Sequence, residues 1–103
     1  MDWRQEAIDK LTGYEARKYA VGTLPPGCER TEAQLWVEIV DGGLAVLDDE
    51  ERLVLYMCFI HKVKAPTYEL SERLHIEPRA VYKRRDKALR RFTLALYGAL
   101  ESV

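Results

Sequence analysis

The sequence predicts an all-α protein, and three observations carry that expectation. Apolar residues recur at three- and four-residue intervals in one segment after another. Gly and Pro fall mostly between those segments. No stretch requires a strand. With 103 residues, 48% of them hydrophobic, the chain can form one ordinary domain or a small domain with a helical extension. The expected architecture has about five helices: a helical hairpin over residues 1–46, then a helix-turn-helix unit over residues 47–103.

Asp2 is placed to cap a first helix, whose apolar face carries Trp3, Ala7, Ile8, Leu11, Tyr14 and, at its end, Val21. Gly13 weakens that helix by about 1 kcal/mol relative to Ala without stopping it. Gly22 and then Pro25-Pro26-Gly27 do stop it. Thr31 caps a second helix, with Glu32 in the first turn, where the helix dipole favours an acid. Its stripe is Leu35, Trp36, Ile39 and Val40. Asp41-Gly42-Gly43 is expected to interrupt or end it, leaving Leu44 and Leu47 to a separate turn. The hairpin is a candidate surface for self-association or for a partner. Trp3 and Trp36 have two placements open, within one chain or across a homodimer.

Asp48 and Glu51 have the three-residue spacing of a capping box and open a third helix. Its interior, Leu53 to Ile60, is apolar almost all round. Length and pattern alone would also suit a buried strand, but the cap and the helical neighbours favour a helix at the centre of the core. Tyr56, Met57 and Phe59 cannot all point into one small interior, so some of that surface faces another part of the chain or a partner. The run is too short to cross a bilayer. Ala65-Pro66 breaks the helix, and Thr67 is the expected cap of the next.

Thr67 to Phe92 organises the rest. Leu70 and Leu74 lie on one face of a fourth helix, His75-Ile76-Glu77 makes a turn with Ile76 folded beneath it, and Pro78 begins a fifth helix. Val81, Ala88, Leu89 and Phe92 form its apolar stripe, and the helix is expected to run to Tyr97 or Leu100, past Gly98. From Arg79 to Arg91 this helix has seven basic residues against one acid, Asp86. At about 100° per residue, Arg79, Lys83, Asp86 and Arg90 fall opposite Val81, with Tyr82 and Lys87 on the shoulders. Such a helix suits the DNA major groove, its first turns nearest the base edges. Arg79, Tyr82 and Lys83 are the candidates for base contact, and Lys87, Arg90 and Arg91 for phosphate contact. Lys62, Lys64 and Thr67 stand at the entrance, placed for flanking phosphates. The competing reading is a solvated face paired with Asp86 and Glu77.

The formal net charge of −1 hides an asymmetry. Residues 1–60 carry 6 basic and 12 acidic groups, whereas residues 61–91 carry 10 basic and 4 acidic. That division fits a nucleic-acid-binding unit joined to a different functional surface, or a dipolar domain whose halves attract.

Leu47-x-x-x-Glu51-Arg52-x-Val54-Leu55, Thr67-Tyr68-Glu69-Leu70 and Val81-Tyr82-x6-Ala88-Leu89-x2-Phe92 together resemble the carboxyl-terminal, region-four helix-turn-helix of bacterial sigma factors. Trp3, Ala7-Ile8, Leu11 and Tyr14-Glu15-Ala16-Arg17-Lys18 resemble phage-encoded regulators of the ArpU/RinA kind. The resemblance implies a sequence-specific transcriptional regulator of phage or prophage late genes. It also implies double-stranded DNA and RNA polymerase as partners, in the cytoplasm of a bacterial host. The chain departs from the pattern at Ser71, where Ala is usual, and at His75, where Gly is usual. Glu77 replaces a Ser or Thr cap, and Arg84 stands where an aliphatic residue is often buried.

Cysteine usage and the polar amino terminus suggest a reducing cytoplasm, with no disulfide framework and no secretory signal. Cys58-x-x-His61, with Cys28 and His75, lacks the paired Cys-x-x-Cys of a structural zinc site, so no metal is expected. Asp48 to Glu51 lacks the glycine spacing of a calcium loop. His61 and His75 have no nucleophile pattern or Gly-rich loop beside them, so no enzyme and no cofactor are expected. Two further readings stay open on the sequence: a small terminase subunit, which would assemble as a ring, and a helical adaptor whose basic helix meets an acidic protein.

Overall fold

The computed structural model describes residues 3–25 and 32–101, and among them the regular secondary structure is entirely helical. Six α-helices follow in order: α1 (Trp3–Thr12), α2 (Tyr14–Gly22), α3 (Glu32–Ala45), α4 (Asp49–Leu55), α5 (Pro66–Leu74) and α6 (Pro78–Glu101). A π-helical turn, Tyr56–Ile60, extends α4. The expected caps Asp2 and Thr31, the Pro26-Gly27 break and Cys28 lie outside the described residues.

The sixth helix comes from Gly13, which divides the segment expected to be continuous. The backbone bonds Gly13 N–H to Asp9 O (3.0 Å) and Arg17 N–H to Gly13 O (3.3 Å) still span the break. A Cβ on Gly13 would lie 3.1 Å from the Trp36 ring. The missing side chain at Gly13 thus lets Trp36 of α3 approach closely where α1 meets α2. Trp36 fits there between the Lys10 ammonium and the Arg17 guanidinium, 3.7 and 3.5 Å from its ring centroid. Its indole N–H donates to Lys10 O at 2.9 Å, so the half-buried ring leaves no orphan donor. Trp3 and Trp36 do not meet: Trp3, 43% exposed, packs edge-on against Tyr97.

The helix break expected at Asp41-Gly42-Gly43 does not occur, and α3 runs on to Ala45. Gly43 is buried where α3 crosses α6, and a Cβ there would approach Phe92 Cε1 to 2.7 Å. Glycine serves close approach at this crossing, and tertiary packing outweighs its low helix propensity. Tyr14 adds a polar tie to the same helix, donating its hydroxyl to Asp41 at 2.5 Å. Burial, reinforced by the Asp41 carboxylate, pushes the Tyr14 hydroxyl well above the usual tyrosine range.

The expected capping box is present. Glu51 N–H donates to Asp48 Oδ1 at 2.8 Å, and Asp48 N–H donates to Glu51 Oε1 at 3.1 Å. The bond from the Glu51 backbone holds the Asp48 carboxyl below its ordinary range. The apolar run beyond the cap is helical, but it passes into the π-turn, closed by His61 N–H to Tyr56 O at 2.8 Å. The run is divided between two interiors: Val54 and Met57 join one, Leu55 and Ile60 the other, and Tyr56 is exposed, stacked on His61. Thr67 does not cap α5. Ala65 occupies the cap in a left-handed conformation (φ 53°), and Pro66 opens the helix. His75 closes α5 in the left-handed region (φ 55°), where the usual residue is Gly. Ser71 secures that turn: its hydroxyl donates to Ile76 O at 2.6 Å, and its carbonyl accepts the Ile76 N–H at 3.1 Å.

Two apolar clusters hold these elements. The larger joins Ala7, Leu11, Tyr14, Ile39, Val40, Leu47, Leu55, Ile60, Ala88, Leu89, Phe92 and Leu96. It draws on residues from both sides of position 46, so the amino-terminal helices share a core with the carboxyl-terminal ones. The smaller joins Val54, Met57, Leu70 and Val81, with Leu74 and Ile76 against it. The spine through both is α6, 24 residues and about 36 Å long.

Candidate nucleic-acid interface

The stripe Val81, Ala88, Leu89, Phe92 is buried, so the positions opposite it on α6 face outward. Arg79, Tyr82, Lys83, Asp86, Lys87, Arg90 and Arg91 are all exposed. Among the described residues, Arg79, Lys83, Lys87 and Arg90 form no ion pair. Lys62 and Lys64, exposed in the segment leading to α5, are likewise unpaired among those residues. Thr67 is half-buried in the first turn of α5.

The remaining arginines have partners inside the molecule. Arg84 pairs with Glu50, and Arg91 pairs with Glu51 and donates to Val46 O at 3.1 Å. Both acids lie in the first turn of α4. Arg91, a candidate phosphate ligand, is thus tied to a carboxylate that also serves the capping box. A cleft of about 440 Å³ runs between this end of α4 and α6, with Asp48, Glu50 and Glu51 on one wall and Lys83, Arg84 and Lys87 on the other. The attraction between acidic and basic halves is therefore real here, and it is local to one flank of α6.

On the other flank, Asp86 accepts from Arg4 Nη2 at 3.3 Å and from Arg85 Nη2 at 3.3 Å. The Arg85 guanidinium also lies 5.1 Å from the Tyr82 ring centroid. A shallow groove of about 210 Å³ brings Arg4 together with Asp86, Leu89 and Arg90. Arg4 is a site residue that no local pattern indicates, because 82 positions separate it from Asp86. For Glu50 and Glu51 a signal does exist: an acid-rich helix start in a chain whose halves carry opposite charge.

The polar contacts around α6 are ion pairs and hydrogen bonds. Burial pushes the Cys58 thiol up. Among the described residues no three His, Cys, Asp or Glu side chains gather as metal ligands, and no helix is long and apolar enough to cross a membrane. The chain matches no protein-family model, no curated protein and no solved structure.

Proposed function

We propose that this chain is a sequence-specific DNA-binding transcriptional regulator that lays the first half of α6 in the major groove. The observation that carries this reading is the row Arg79, Lys83, Lys87 and Arg90: exposed, on one helix, and unpaired among the described residues while their neighbours Arg84 and Arg91 are neutralised. Exposed cations without carboxylate partners are what a polyanion can engage by releasing its counterions. α5, ending at the left-handed His75, and α6, beginning at Pro78, are the two helices of the motif. In this reading Arg79, Tyr82 and Lys83 approach base edges, whereas Lys87 and Arg90 on α6, and Lys62, Lys64 and Thr67 at the entrance to α5, hold phosphates. The resemblance to sigma region four adds RNA polymerase as a partner, and that of the amino-terminal stretch to ArpU/RinA-like regulators adds phage or prophage late genes as the setting.

Selection of bound duplexes from a random pool tests the reading directly. An enriched motif is expected for the unaltered protein, with information lost at one position for Lys83→Ala. With about five phosphates engaged, the logarithm of affinity falls against log salt with a slope of about −4.5. No binding to mixed-sequence duplex at low salt would reject the reading.

A further inference from the structure

We propose that Arg4, at the start of α1, is a positioning residue for the α6 DNA surface, an inference that rests on the DNA-binding reading above. Asp86 is the one acid between Arg79 and Arg91. It lies on the helix face opposite Val81, among Lys83, Lys87 and Arg90, where an unscreened carboxylate would repel phosphate and offset a neighbouring cation. Two guanidinium groups converge on it instead. Arg85 reaches Oδ1 from the adjacent position (3.3 Å), and Arg4 reaches the same oxygen from another helix (3.3 Å). Arg85 alone would leave the spot neutral; one carboxylate between two arginines has a net positive charge, so Arg4 converts a neutral spot on the surface into an attractive one. Held on Asp86, the Arg85 guanidinium also stays over the Tyr82 ring. The arrangement therefore links α1 to a candidate base-reading side chain.

The bridge is not there chiefly for stability. Arg4 and Asp86 keep 58% and 54% of their side-chain exposure, and exposed pairs contribute little to folding. Charge arranged on an exposed face acts instead on an approaching polyanion. The amino-terminal helix thereby takes part in setting DNA affinity.

A double-mutant cycle in the full chain tests this, with a mixed-sequence DNA duplex as the probe at low salt. Arg4→Ala is expected to weaken binding roughly fivefold and Asp86→Asn to tighten it, with melting temperatures nearly unchanged. In the Asp86→Asn background, Arg4→Ala should change affinity less than about twofold, because the carboxylate that holds Arg4 beside α6 is gone. Arg4→Lys should restore most of the lost binding. An equal loss in both backgrounds would mean that Arg4 meets phosphate itself, and the bridge would be rejected. An Arg4→Ala protein that binds as well as the original would reject it too. If the unaltered protein fails to bind duplex, the DNA reading falls and this inference with it.

Discussion

The two flanks of α6 both form ion pairs, but with different neighbours and opposite polarity. Toward α4, Arg84 and Arg91 meet Glu50 and Glu51 and are neutralised. Toward α1 the polarity is reversed, since there the lone carboxylate of the basic stretch, Asp86, is neutralised by Arg4 and Arg85. Between the flanks, Arg79, Lys83, Lys87 and Arg90 keep their charge unpaired among the described residues. The difference teaches that counting basic residues overstates a binding surface. What matters is which of them the folded chain has already supplied with a counter-charge.

The comparison depends first on both flanks belonging to one rigid body. Phe92 is fully buried in the larger cluster and fills the space beside Gly43. Phe92→Ala should lower unfolding stability by about 3–5 kcal/mol in denaturant titration, because a buried ring is replaced by a cavity. A loss below about 1 kcal/mol would mean that α3 and α6 are not locked together, and the flanks would lose their shared frame.

A smaller effect sharpens the contrast between flanks. Glu50→Gln removes the counter-charge from Arg84 and leaves the capping box untouched. Affinity for duplex DNA should rise about threefold at low salt, with the gain vanishing as salt screens it. Unchanged affinity would place Arg84 out of reach of phosphate.

The smallest effect concerns acid. The folded Asp48 carboxyl titrates below its ordinary range, chiefly through the bond from the Glu51 backbone. Its contribution is therefore present above the unfolded carboxylate range and is lost as pH falls through the lower, folded value. Asp48→Asn retains a capping side chain without that ionisation. Its melting temperature should fall less between pH 5 and pH 2 than that of the unaltered protein. Parallel curves would show that the cap does not depend on charge.

Much of the fold was legible because it is local. The stripe from Val81 to Phe92, the Asp48–Glu51 box and the helix start at Pro78 each involve residues a few turns apart. Their spacing alone predicts which side is buried and where a helix opens. Other features misled for an equally physical reason. Asp41-Gly42-Gly43 has the composition of a break, yet α3 continues because α6 needs a glycine at the crossing. Thr67 has the chemistry of a cap, yet Ala65 takes that position because Pro66 already opens the helix. Of the candidate site, the exposed α6 row was legible from helical geometry, whereas the neutralisation of Arg91 and the arrival of Arg4 were not.

By itself, then, the amino-acid order determined the helical class, the buried stripe of α6 and the concentration of positive charge on its other side, since these arise from hydrogen bonds and periodicities within a single segment. Tertiary structure alone decided how that charge is distributed. Glu51 lies 40 residues from Arg91, and Arg4 lies 82 from Asp86. Electrostatic partnership depends on separation in space, which the packing of α1 and α4 against α6 creates.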